Sequence, residues 1–169
     1  MAPRATLGRF VSDSLDHPPA LLAQEFTEVA LGVAGAEQAA LYINGRGTVR
    51  CHGLAPAQLE SPLRAEQADT RFPWDIPSLQ PRHFVLVEDA GQLPLPGGGQ
   101  LRDLGIVSAV HVPLGPASVG ALHLYWNRKV HAWDDQIGAQ LRAVGGFVVV
   151  RLVGSGRGRI AYGRRRTDP

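Results

Sequence analysis

Gly105-Ile106-Val107-Ser108-Ala109-Val110-His111-Val112-Pro113-Leu114, then Gly115-Pro116-Ala117-Ser118, then Val119-Gly120-Ala121-Leu122-His123-Leu124-Tyr125-Trp126 is the stretch on which the fold turns. Two β-favouring runs flank a Gly-Pro turn of hairpin length, so they read as adjacent antiparallel strands. Both runs are apolar on each face, which places them centrally in a sheet covered on both sides. Alternation then sorts the side chains. Val107, Ala109 and His111 share one face of the first strand, and Val119, Ala121, His123 and Tyr125 share one face of the second. A register that sets His111 beside Ala121 or His123 brings both sets to the same side. The expectation is a polar cluster of His111, His123 and Tyr125 on apolar sheet. Two imidazoles and a phenol need hydrogen-bond partners when buried, which a cavity holding water or a polar ligand would supply.

Outward from that hairpin, Trp133 to about Val153 reads as a final helix with Ile137, Leu141, Val144 and Val148 in register. Gly145-Gly146 before Phe147-Val148-Val149-Val150 is locally poor helix sequence, but it would let a partner helix approach closely. Upstream, Pro18-Pro19 opens a helix whose apolar face is Leu22, Phe26, Val29, Ala30 and Val33 and which ends near Gly35. Ala39 to Ile43 and Thr48 to His52 flank Asn44-Gly45-Arg46-Gly47 as a second hairpin. Residues 55–82 contain Pro56, Pro62, Pro73, Pro77 and Pro81 and read as a broken helix and long loop. His83 to Glu88 is a strand, LPLPGGG at 93–99 a loop, and Gln100 to Leu104 a helical turn. The fold class is therefore α+β, an α/β sandwich. A central, mostly antiparallel sheet of about five or six strands carries the two terminal helices on one face and loops and short helices over a ligand cavity on the other.

A chain of 169 residues with 44% hydrophobic and 19% charged residues is ordinary for a globular domain. The expected division is an N-terminal extension (1–17), the domain (18–153) and a basic disordered tail (154–169). The arginines of the last stretch, Arg151, Arg157, Arg159 and Arg164 to Arg166, account for the net charge of +2 and leave the body mildly acidic. A short arginine cluster with no interleaved aromatics reads as a solvated tail, not a nucleic-acid site. No apolar run reaches the length of a membrane span, and MAPRATLGRF lacks a signal-peptide core, so the expectation is a cytoplasmic protein with no membrane partner. Cys51, the only cysteine, excludes an internal disulfide and any two-cysteine cluster, and reads as a small buried hydrophobe.

The element order, with Ala39-Ala40-Leu41-Tyr42-Ile43, Val87-Glu88-Asp89, the run from Gly105 to Leu114 and Gly120-Ala121-Leu122, resembles the GAF family of sensory domains over about Leu22 to Leu152. The resemblance implies a sensory or regulatory, non-catalytic domain that binds a small molecule or dimerises for signal transduction. Ala109, His111 and Tyr125 match ligand-facing positions of bilin-binding members. Phe72-Pro73-Trp74-Asp75-Ile76-Pro77 is similar to the chromophore-side segment of phytochrome GAF domains, which makes Trp74 and Asp75 lid residues over the ligand.

Other functions of the family fit less well. Covalent bilin attachment needs a thiol near the N-terminus or before the fourth strand, and neither place has one. Thiol-exchange reduction needs a resolving cysteine beside Cys51. In Asn127-Arg128-Lys129 and Trp133, followed by Asp134 and Asp135, the carboxylates come too early for the cyclic-nucleotide pattern and read as first-turn complements to the helix dipole. Haem would use one of His52, His83, His111 or His123, without a spacing that marks it. No catalytic triad, metal-ligand spacing or phosphate loop is present. The ligand-binding set is therefore Trp74, Asp75, Ala109, His111, His123 and Tyr125, with catalytic and metal residues none and no cofactor named. The expected partners are a second copy joined through the terminal helices, a small molecule and a downstream signalling protein. The alternatives are a degenerate domain that only dimerises, and a haem- or bilin-binding sensor.

Overall fold

Local sequence sets the first helices of the computed structural model, which describes residues 6–45, 48–58, 60–64, 67–68, 83–93, 97–116 and 119–164. Helix α1 (Leu7–Ser14) starts where the Thr6 side chain accepts from the Arg9 amide at 3.2 Å. Helix α2 (Pro19–Ala34) has proline at its first position and ends at Gly35, whose φ of 64° lets the cap amide return to the Leu31 carbonyl. Strands β1 (Gln38–Gly45) and β2 (Thr48–Ala55) follow, then a 3-10 turn (Pro62–Arg64), the short β3 (Gln67–Ala68), β4 (Val85–Val87), a second 3-10 turn (Ala90–Gln92) and α3 (Gly97–Asp103). Strands β5 (Ser108–Leu114) and β6 (Gly120–Trp126) form the long hairpin, and α4 (Asp135–Arg164) closes the chain. Asp134 caps α4, its Oδ1 accepting from the Gln136 amide at 2.9 Å and the Ile137 amide at 3.3 Å.

The sheet has six strands in the order β3-β2-β1-β6-β5-β4, every pairing antiparallel. Its two faces carry separate cores. Leu41, Val110, Val112, Leu122 and Leu124 pack with Phe26 of α2 and Leu141, Val148 and Val149 of α4. Ala40, Tyr42, Leu54, Ala109 and Tyr125 pack on the other face with Leu63, Ala90, Leu101 and Ile106 from the connecting segments. Burying a side chain such as Phe26 contributes about 1.5–3 kcal/mol, so the helical face is the stronger anchor. A bulge between Leu41 and Tyr42 pairs Leu41 with Gly53 but Tyr42 with Cys51. His52 is thereby left over, and Cys51 and Leu54 end on the same face despite their odd spacing.

The structure corrects several expectations. The extension at 1–17 contains α1, whose Phe10 is buried against Phe26 with ring centroids 5.9 Å apart. The segment after Gly154, expected as a disordered tail, continues α4 to Arg164, because extending a formed helix adds a hydrogen bond for each residue fixed. Arg151, grouped with the solvated arginines, instead donates to the carbonyls of Leu15 and His17 and ties α4 to the α1–α2 turn. Gly145 lies inward, where an added Cβ would stand 2.8 Å from both Leu114 Cδ2 and Phe26 Cζ, so it serves this domain's own packing and not a partner's approach. Asp135–Ser155, with a mean hydropathy of 1.4, is long and apolar enough by composition to cross a membrane, contrary to the expected absence of such a run. Its Leu141, Val148 and Val149 are core residues of the sheet's helical face, while Phe147 and Val150 are exposed, so the domain's own core accounts for part of that composition.

Candidate ligand site on the second face of the sheet

Register decides which side chains meet. Ala109 pairs with Tyr125 and His111 with His123 across the β5–β6 hairpin, and β1 sets Ala40 opposite His123 and Tyr42 opposite Ala121. Directly opposed residues of antiparallel strands project to the same side, so Ala109, His111, His123 and Tyr125 share the face opposite α2 and α4. The expected juxtaposition of His111, His123 and Tyr125 is present. Trp74 and Asp75, expected as its lid, lie outside the described residues.

The polar atoms form a chain. His111 Nδ1 lies 2.8 Å from His123 Nε2, and His123 Nδ1 lies 3.1 Å from the Tyr125 hydroxyl. The Tyr42 hydroxyl, on the same face as Tyr125, donates to the Leu63 carbonyl at 2.9 Å. His123 is 2% exposed, and Tyr42 and Tyr125 no more so. Burial disfavours the charged form of each ring. It lowers His111 to about 4, and it holds His123 well below the ordinary imidazole range, the neighbouring His111 adding to the effect. It raises Tyr42 and Tyr125 above the ordinary phenol range. The cluster is therefore neutral at physiological pH, a set of oriented donors and acceptors on an apolar floor.

Tyr42 is the member that the sequence reading passed over. The signal was available, since Tyr42 is two residues from Ala40 on a strand whose hairpin partner could be read, but its place beside Tyr125 depends on β1 pairing with β6 across a long sequence gap. A cavity of about 380 Å³ borders the site between Gln38, Pro56, Gln58, Ile106 and Tyr125, with neither His111 nor His123 in its lining. Of the other strand histidines, His52 is the extra residue of the bulge and His83 is exposed, so neither joins the cluster. Cys51 faces the site's side of the sheet and donates from Sγ to the Gly53 carbonyl at 3.2 Å. Burial raises its pKa, which keeps it a thiol and a poor nucleophile. Among the described residues no group of three or more His, Cys, Asp or Glu is placed to hold a metal ion.

By sequence the chain matches no protein-family model and no curated protein. Its structure is similar to solved domains at low identity. A domain assigned to a two-component sensor histidine kinase protein of Sinorhizobium meliloti 1021 is 17% identical, the match covering 83% of this chain and 93% of that one with a TM-score of 0.58. The GAF domain region of a protein assigned to the membrane of Geobacter sulfurreducens PCA is 12% identical, covering 79% and 92% with a TM-score of 0.62. The blue-light absorbing form of the PixJ GAF domain from Thermosynechococcus elongatus is 14% identical, covering 92% and 100% with a TM-score of 0.62. Their shared architecture, a central antiparallel sheet with packed helices, is the one described above, and this chain has the fold of a GAF domain.

Proposed function

We propose that the chain is a non-catalytic sensory or regulatory domain that binds a small molecule against His111, His123 and Tyr125 and relays its presence to α2 and α4. The observation that carries this reading is the division of labour within single strands. On β5, Ala109 and His111 belong to the polar face while Val110 and Val112 pack beneath the helices; on β6, His123 and Tyr125 alternate with Leu122 and Leu124. A shift of either histidine ring therefore acts on a helix-packed neighbour one residue away, through a close-packed interior. The sensor-kinase and light-absorbing contexts of the similar domains support a signalling role. The neutral rings, the half-buried thiol with its raised pKa and the lack of an activated nucleophile among the described residues favour binding over turnover.

Native and denaturing mass spectrometry of the purified protein, with an absorption spectrum, tests the proposal. The expected result is a colourless protein carrying a non-covalent small molecule that is lost in His111→Phe. No bound mass, together with no stabilisation by a small-molecule panel, would leave only a dimerising domain.

A further inference from the structure

We infer that α1 is a strap whose folding is conditional on the seating of α4, with Arg151 as the latch, so that a displacement of α4 releases α1 and opens the groove beside it. The device rests on the proposed relay only for what displaces α4, and the latch is measured without a ligand. Alone, α1 cannot hold itself. Its eight residues are fewer than the roughly 12–15 at which an isolated helix becomes marginal in water. Phe10 is its one buried large side chain, set against Phe26, and Leu7 is only partly buried.

The two ends of α1 are held differently. Thr6 caps the N-terminus from within the segment, but the last turn has no basic residue and the C-cap, Leu15, keeps a right-handed helical backbone. The final carbonyls of a helix need donors from elsewhere. Arg151 supplies them from α4, donating to the Leu15 carbonyl and, at 3.1 Å, to that of His17. A cation at this end also complements the helix dipole. The donors of a guanidinium form a rigid fork, so both bonds are made only where α4 places it. His17 Nδ1, 2.8 Å from Glu25 Oε2, ties the same turn to α2. Among the described residues no other side-chain hydrogen bond joins residues 6–17 to the rest of the domain.

Arg151 stands just past Val148 and Val149, the last buried core residues of α4. A turn or slide of α4 therefore carries the fork off both carbonyls while the His17–Glu25 tie stays with α2. Leu7 and Val11 of α1 wall the groove of about 810 Å³ opposite Val33 and Val144. Melting α1 removes that wall and uncovers Phe26, which converts a movement of α4 into apolar surface that opens on the outside of the domain, an order-to-disorder switch.

Hydrogen exchange of the full chain, read by mass spectrometry, tests the latch. In Arg151→Ala the amides of residues 10–15 should exchange at least about tenfold faster while those of β5 and β6 stay within about twofold, and Arg151→Lys should fall between, because an ammonium is not a fork. Unchanged protection of α1 in the folded Arg151→Ala variant overturns the inference. So does a loss spread equally over the sheet, which would make Arg151 a general stabiliser. Coupling is reciprocal, so Val11→Pro, which breaks α1 at a residue 36% exposed, should speed exchange at residues 150–154 of α4. Unaltered exchange there also overturns it. A bound small molecule found in wild type and Arg151→Ala alike, with α1 equally protected in both, removes the latch and leaves the sensory reading standing.

Discussion

His111 and His123 bind protons more readily in the unfolded chain than in the folded one, because burial withdraws water from the charged ring. His111 is held near about 4 against an ordinary 6.5, so below pH 6.5 the unfolded state takes up a proton that the native state refuses. The stabilisation by the neutral rings is thus complete above pH 6.5 and is lost as the pH falls toward 4, at about 1.4 kcal/mol per pH unit for each such histidine. Urea unfolding at about pH 7.5 and about pH 5.5 should show the wild type losing roughly 1–3 kcal/mol, and His111→Gln losing less. An equal loss in both would detach His111 from the effect. Tyr42→Phe should cost about 1–3 kcal/mol, because it strands the buried Leu63 carbonyl; an unchanged midpoint would mean that the carbonyl finds another donor.

At the scale of elements, the adjacent glycines of α4 have opposite expected responses. Gly145→Ala drives a methyl to 2.8 Å from Leu114 and Phe26, an overpacking that costs about 1–3 kcal/mol and outweighs the gain of up to about 1 kcal/mol from alanine's helix propensity. At Gly146 the nearest atom, the Gly115 amide nitrogen, is 3.8 Å away, an ordinary contact, so Gly146→Ala should stabilise by about 0.5–1 kcal/mol. Thermal unfolding of the two variants checks the pair, and equal signs would place both glycines in the same environment. The sequence showed that a helix with a weak point runs here, since Ile137, Leu141, Val144 and Val148 keep helical spacing. Which glycine faces the core follows from how α4 sits against β5 and α2.

For the whole molecule, the helical layer leaves apolar surface uncovered. Phe147 and Val150 of α4 are 44% and 54% exposed and Leu21 of α2 is 47% exposed. A groove of about 810 Å³ runs between α1, α2 and α4, with Leu7, Val11, Val33 and Val144 in its lining. We propose that this exposed apolar area is covered by a second copy of the chain, in a dimer joined through the terminal helices. Sedimentation at tens of micromolar should find a dimer of roughly micromolar affinity, and Phe147→Glu with Val150→Glu should yield a folded monomer. A wild-type monomer at that concentration, or a variant that remains dimeric, would move the interface elsewhere or remove it.

The sequence by itself determined the two hairpins, the helices at either end and the sharing of one face by Ala109, His111, His123 and Tyr125. Each of these follows from short-range alternation, turn chemistry or a helical stripe, which neighbouring residues impose on one another. Only the tertiary structure decided that β1 lies beside β6 and so brings Tyr42 to Tyr125. It alone set the bulge at His52 that returns Cys51 and Leu54 to the same side, turned Gly145 inward and carried Arg151 back to the α1–α2 turn. Those outcomes join residues far apart in the chain, and their energies come from packing and hydrogen-bond partners that exist only once the sheet has closed against its helices.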